Sequence, residues 1–272
     1  MHEGYPQQFS RSGFRALLVG PVLADLWHLD RRLEATPGAG PEPLSPPWST
    51  TYLKVVQTCA AGQSLEGEIW VSLLSGVAQA SPEALLLVAT PWLLLNVNRY
   101  GHRHSVVARW AADLAIADSL RRTLVDYYHW LCGASGKSSL PFGPGLPRPL
   151  GGTAGSALAP GPPLGSTSVA LDRWQDLVQA TQAQFWPTLE LAQVLGWSEA
   201  GLSLAAVVTL LVGGPTSLPR ALYVRYGELP TWGQRWGHSN ARQWEQWADT
   251  LYHRWAGIRP AAVPRLGTAY NG

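Results

Sequence analysis

Charged residues are scarce in this chain, and their scarcity argues against one large class of function. They make up 14% of the 272 residues, and the formal net charge is only +2. A protein that binds nucleic acid usually carries a basic stripe, so we expect no DNA or RNA partner. Hydrophobic residues account for 46% of the chain, which is enough for a sizeable core and predicts a folded protein.

Cysteine is also scarce. The two cysteines, Cys59 and Cys132, lie far apart in sequence. Such a pair is typical of small buried hydrophobic residues in a reducing compartment. The opening residues, MHEGYPQQFSRSG, lack the apolar core of a signal peptide, and no uninterrupted apolar run reaches the roughly 20 residues that cross a bilayer. We therefore expect a cytoplasmic protein without a transmembrane segment.

Apolar residues recur at helical spacing along most of the chain, and no convincing run alternates with a period of two. This pattern predicts an all-α fold, a single compact multi-helix domain over residues 1–272. Residues 133–168 differ from the rest, because 16 of these 36 are glycine or proline. They are predicted to be a flexible insertion within that domain.

Several helix boundaries can be predicted from individual residues. Ser64 is expected to cap a helix that starts at once behind it. The apolar stripe over residues 107–131 predicts one long helix, and Pro187 is expected to end a helix. Asn240 and Gln243 form a pattern typical of a capping box.

Tryptophan is abundant, with 14 in the chain. Its large apolar side chain most often fills the core. The alternative is a flat aromatic surface for a partner. The candidates for such a surface cluster near the C-terminus: Trp232, Trp236, Trp244 and Trp247.

Carboxylates are spread thinly, which bears on metal chemistry. None of the 18 Asp and Glu residues adjoins another, and the closest two are Glu66 and Glu68. Hydrolysis by two metal ions needs several carboxylates that converge on the cations. The sequence therefore predicts no metal site.

Residues 14–27, FRALLVGPVLADLW, hold the most recognisable pattern in the chain. They resemble the first helix of the ADP-ribosylglycohydrolase family, which reads aliphatic–aliphatic–x–Gly–x–x–x–Gly–Asp–Ala. The matching residues are Leu17, Leu18, Gly20 and Asp25. Ala24 stands in place of the second glycine, and Leu26 in place of the final alanine.

Two further motifs of that family have degenerate counterparts here. Ser49, Thr50 and Thr51 stand where the family has Thr/Ser-Asp-Asp, so the hydroxyl is kept and both carboxylates are absent. Residues 227–231, GELPT, stand where the family has Gly-Asp-x-Asp-Thr. Thr231 matches that motif, and Glu228 stands in for its first aspartate. The degree of divergence is similar to that of cyanobacterial relatives of the family.

The resemblance implies an all-α relative of enzymes that remove ADP-ribose from modified side chains with a pair of magnesium ions. Of the four carboxylates that the two later motifs supply, only Glu228 remains. The first hypothesis is therefore a pseudoenzyme without a metal or other cofactor. It would bind a protein partner or an ADP-ribose-like ligand through residues Ser49, Thr50, Thr51, Glu228 and Thr231, and Asp25 would hold a neighbouring helix terminus.

Two alternatives stay open at this point. One is an active hydrolase of ADP-ribosyl bonds with a rebuilt, magnesium-dependent site, in which Glu228 is the general acid or base and Asp25 assists. The other is a scaffold or assembly factor that docks through the tryptophan-rich surface near the C-terminus.

Overall fold

The computed structural model describes residues 9–35, 45–98, 101–102, 104–136, 171–227, 230–237 and 239–258, and within them the chain is all-α, as predicted. The helices are α1 (Arg11–Ala35), α2 (Ser49–Ala61), α3 (Glu68–Ala80), α4 (Pro82–Asn96), α5 (His104–Asp113), α6 (Asp118–Gly136), α7 (Leu171–Ala180), α8 (Phe185–Val194), α9 (Glu199–Gly213), α10 (Arg220–Tyr226), α11 (Pro230–Arg235) and α12 (Ala241–Trp255). A 3₁₀ helix spans Pro215–Ser217, and a short antiparallel pair joins β1 (Val97–Asn98) to β2 (Gly101–His102).

Helix α1 lies at the centre of the described fold. Every residue from Gly13 to Trp27 is buried except Arg15, because the helix packs against α9 on one side and α12 on another. The approach of α9 depends on Gly20, where a Cβ atom would overlap the side chain of Leu210. Gly20, one of the residues that carry the family resemblance, is therefore required for the close packing of α9 against α1.

Helix α4 forms a second apolar layer. It is buried along nearly its whole length, and α2, α3 and α9 pack against it. Its start is well specified, since the Ser81 hydroxyl accepts a hydrogen bond from the backbone N–H of Ala84 at 3.2 Å and Pro82 occupies the first helical position. Within the described ranges, no helix combines the length and the apolar character needed to cross a membrane.

The predicted start of α3 is wrong. Ser64 accepts a hydrogen bond from the backbone of Glu66, but the helix begins at Glu68, after Gly67. Gly67 has a φ of 108°, a conformation that glycine adopts readily and that separates Ser64 from the helix. As a result the buried face is shifted, and Ile69 is 82% exposed.

The single helix predicted over residues 107–131 is in fact two, α5 and α6. Arg121 explains the break, because its guanidinium donates hydrogen bonds to the carbonyls of Ala111 at 3.1 Å and Leu114 at 3.3 Å. It thereby satisfies carbonyl groups at the end of α5 that a continuous helix would have bonded internally. At its C-terminal end α6 continues to Gly136, so the predicted insertion does not start at Gly133. The rest of that insertion, residues 137–168, lies outside the described part.

Pro187 does not end a helix. It sits in the first turn of α8, where its missing N–H removes no intrahelical hydrogen bond. The chain turns before it, at Gln182 and Ala183, both of which have a φ of 54°. The capping box of α12 is confirmed, with Asn240 and Gln243 bonded to one another's backbone at 3.0 and 3.1 Å.

Candidate functional site

Asp25 is the carboxylate that the resemblance points to, and it lies buried in the middle of α1, only 1% exposed. Arg235, at the end of α11, donates two hydrogen bonds to it. Its Nε donates to Oδ2 at 2.6 Å, and its Nη2 donates to Oδ1 at 2.7 Å. The indole N–H of Trp236 donates to Oδ2 at 3.0 Å. Both carboxylate oxygens are therefore occupied by donors from the protein itself.

The charges continue outward from this pair. Arg235 Nη2 lies 3.7 Å from Glu199 Oε2, and Glu199 Oε1 accepts a hydrogen bond at 2.8 Å from Arg32 on the last turns of α1. Acidic and basic groups thus alternate from the buried centre to the surface. Burial is the largest influence on Asp25 and raises the pKa of its carboxyl group, while the hydrogen bonds and charge of Arg235 act against that rise.

This arrangement limits the chemistry that Asp25 can perform. The guanidinium of Arg235 has only donors and stays charged, so it cannot accept a proton from Asp25. Its two hydrogen bonds also occupy both oxygens with which Asp25 would coordinate a metal ion. Among the residues that the structure describes, no group of three or more His, Cys, Asp or Glu side chains could hold a metal ion. Asp25 is placed to neutralise Arg235 and to join α1 to α11.

An aromatic cluster covers the pair. Trp236 packs edge-on against Trp48 and Tyr52, with ring centroids 5.5 and 6.0 Å apart, and Tyr52 stacks on Trp244 at 5.7 Å. The indole N–H of Trp244 donates to the Ser239 hydroxyl at 2.9 Å. The space beside the Asp25–Arg235 pair is therefore filled by large side chains.

The predicted aromatic surface near the C-terminus is wrong. Trp232, Trp236 and Trp244 are each at most 1% exposed, and only Trp247 is half-buried. Their indoles supply core volume, as the more ordinary interpretation of tryptophan predicts. These four residues do not offer a flat face to a partner.

The predicted hydroxyl residues do not converge on one cleft. Ser49 is buried and donates its hydroxyl hydrogen bond to the carbonyl of Pro46 at 2.8 Å. Thr51 is buried as well, whereas Thr50 is exposed and Thr231 is half-buried. Successive residues on a helix point in different directions, so Ser49, Thr50 and Thr51 cannot line one wall. Glu228 lies outside the described residues.

Sequence reasoning missed Arg235, Glu199 and the polar role of Trp236. A signal was present, because a lone aspartate in an apolar helix needs hydrogen-bond donors or a cation to offset its burial. Which arginine would pair with it could not be predicted, since 210 residues separate Asp25 from Arg235. The buried state of Cys59 and Cys132, which the sequence did predict, is confirmed.

Two cavities open elsewhere on the described surface. One, of about 250 Å³, lies between α1 and α10, and the other, of about 340 Å³, lies beside the turn that precedes α8. Neither is lined by Asp25 or by the predicted hydroxyl residues.

Comparison with known proteins finds no match to a family model, a curated protein or a solved structure.

Proposed function

We propose that this protein is a catalytically inactive relative of the ADP-ribosylglycohydrolases that acts by binding, either to a protein partner or to an ADP-ribose-like ligand. Three degenerate motifs in the order typical of that family support the resemblance. The observation that carries the proposal is the pairing of Asp25 with Arg235 in the core. With three donors on its two oxygens, this carboxylate is poorly placed to bind a metal ion as well.

The guanidinium supplies positive charge without the reactivity of a cation such as magnesium. A magnesium ion keeps several water molecules and uses open positions to polarise substrate oxygens. Arg235 is fixed to the chain, 3% exposed, and offers no site for water to bind and ionise. A metal ion would also have to displace it, and separating the partners of a buried pair typically costs about 3–5 kcal/mol.

The hydrolase alternative requires a different state of this site. Glu228 would act as the general acid or base and Asp25 would have to be released from Arg235. The scaffold alternative requires a docking surface other than the four tryptophans, since three of them are buried. Neither alternative draws support from a contact in the described residues.

The proposal is tested by measuring release of ADP-ribose from ADP-ribosylated arginine with magnesium present. We expect release at the rate seen without protein, and no saturable heat when magnesium is titrated in a calorimeter. Magnesium-dependent release that is lost in Glu228→Gln would overturn the proposal and favour the hydrolase.

The ligand is tested separately, with free ADP-ribose as the probe. Saturable heat that is unchanged by a chelator is the result expected for a metal-independent ligand site. Binding that depends on magnesium would contradict a site without metal. If ADP-ribose does not bind and no hydrolysis occurs, a protein partner is the form of the proposal that remains.

A further inference from the structure

The cavity of about 340 Å³ beside the turn between α7 and α8 has the size of a small-molecule site, for which about 300–1,000 Å³ is typical. Its walls come from two parts of the chain that meet here. Residues 182–187 form one wall, and Gly213, Ser217 and Pro219 form the other. This cavity is separate from the Asp25 site, and its interpretation does not depend on the proposed function.

The lining is largely apolar, contains a few hydrogen-bonding groups and has no ionisable side chain. Its hydrogen-bonding groups are the amides of Gln182 and Gln184 and the hydroxyl of Ser217. Both glutamines are exposed, and within the described residues none of these three side chains has a hydrogen-bond partner. An amide donates and accepts at once, which matches a ligand whose own groups also do both.

Trp186 supplies an aromatic wall to the same cavity. One side of its indole is anchored by an edge-to-face contact with Trp27, with centroids 5.6 Å apart, and the side chain is half-buried. The indole is therefore held in place while part of it stays accessible. An aromatic surface next to free amides provides both apolar packing and directed hydrogen bonds.

The backbone that presents the glutamines is fixed. Gln182 and Ala183 both have a φ of 54°, and the turn is held by a bond of 2.8 Å from the N–H of Ala183 to the carbonyl of Val178. Gly213 lets the end of α9 come close, since a Cβ atom there would lie 2.8 Å from the carbonyl oxygen of Ala183. The backbone of a site held in this way needs little ordering when a ligand binds.

We propose that this cavity binds a neutral polyhydroxylated ring, that is, a sugar. Vicinal hydroxyls donate and accept hydrogen bonds, as the two amides and Ser217 do, and the C–H face of a sugar ring packs against the indole of Trp186. A charged ligand finds no counter-charge among the lining side chains, and a purely apolar ligand would make no use of the hydrogen-bonding groups of the amides and Ser217.

The test is saturation-transfer NMR with a panel of methyl glycosides of glucose, galactose, mannose and ribose. At least one glycoside is expected to bind with a dissociation constant on the order of millimolar, as suits so small a ligand. The double variant Gln182→Ala/Gln184→Ala should weaken binding about tenfold, because it removes two hydrogen bonds. Trp186→Ala should abolish the signal.

The matched control is Gln179→Ala, which removes an exposed glutamine on α7 outside the cavity and should leave binding unchanged. Circular dichroism melting of each variant shows whether it folds, and the glutamine variants keep the test valid if Trp186→Ala does not. No saturable signal with any glycoside would overturn the proposal. So would binding undiminished in the double variant, or glucose 6-phosphate binding more tightly than the neutral glucoside.

Discussion

Helix α1 takes part in two carboxylate–arginine pairings, one in the core and one near the surface. Asp25 forms a salt bridge with Arg235, and their side chains are 0% and 3% exposed. Asp249 on α12 receives two hydrogen bonds from Arg15, at 2.7 and 2.6 Å, and a further one from Arg11. The chemistry is the same, but the side chains of Asp249 and Arg15 are 15% and 37% exposed.

The degree of burial decides whether desolvation or the attraction of the arginines sets the direction of each carboxyl pKa shift. At Asp25 desolvation dominates and raises the pKa of the carboxyl group. At Asp249 desolvation also raises the pKa, but the hydrogen bonds from Arg11 and Arg15 outweigh it and the pKa is lowered. A buried pair adds little net stability and is costly to break, whereas an accessible pair adds a modest amount that depends on pH and salt.

The largest effect is expected from breaking the buried pair. Arg235→Met leaves Asp25 in the core with the Trp236 indole as its remaining hydrogen-bond donor in the described structure, and should lower the free energy of unfolding by about 3–5 kcal/mol. Urea titration followed by circular dichroism measures it. Adding Asp25→Asn should recover most of the loss, because the uncompensated charge is then gone. A loss below about 1 kcal/mol in the single variant would show that the pair is not buried as described.

A smaller effect is expected at the accessible pair. Asp249→Asn removes the partner of Arg11 and Arg15 and should cost about 1 kcal/mol in the same urea titration, since both arginines are partly exposed. Asp126→Asn, which changes an exposed aspartate on α6, serves as the control and should change stability little. Equal losses at Asp249 and Arg235 would erase the distinction between the two sites.

The pH dependence separates the two carboxylates by sign. The pKa of Asp249 is lower in the folded chain than the value of about 3.9 expected when unfolded, so its contribution is present above about pH 4. That contribution is lost as the pH falls through the folded pKa. The stability difference between wild type and Asp249→Asn should therefore shrink below about pH 4. Asp25 has a raised pKa, so its protonation on acidification acts in the opposite direction.

Salt should give the smallest effect. Raising the concentration of sodium chloride screens charges near the surface far more than charges in the core. We expect the stability cost of Asp249→Asn to fall by a few tenths of a kcal/mol, while the cost of Arg235→Met stays the same. The comparison fails if both variants respond equally in urea titrations at low and high salt.

Sequence reasoning succeeded where the determinants are local. The capping box at Asn240 and Gln243 needs only residues three apart, and the apolar run of α1 needs only its own pattern. It failed where a contact from another element decides. Arg121 ends α5 by reaching across a turn, and the tryptophans near the C-terminus are covered by Trp48 and Tyr52 of another part of the chain.

The candidate site shows the same limit more sharply. Asp25 could be singled out from the pattern around it, but the sequence could not show that Arg235 occupies it. The hydroxyls of Ser49 and Thr51 looked suitable for a ligand, yet Ser49 bonds to the Pro46 carbonyl and both residues are buried. Residue type indicates what a side chain can do, while burial and partners decide whether it is free to do it.

The link between Asp25 and Arg235 spans 210 residues, and this has a consequence for synthesis. Helix α1 leaves the ribosome before α11 does, and Asp25 cannot meet Arg235 until 210 further residues have been made. The bonds from Arg11 and Arg15 to Asp249, 238 and 234 residues away, form later still. Asp25, Arg11 and Arg15 therefore have to stay solvated or sheltered in the nascent chain until α11 and α12 have been made.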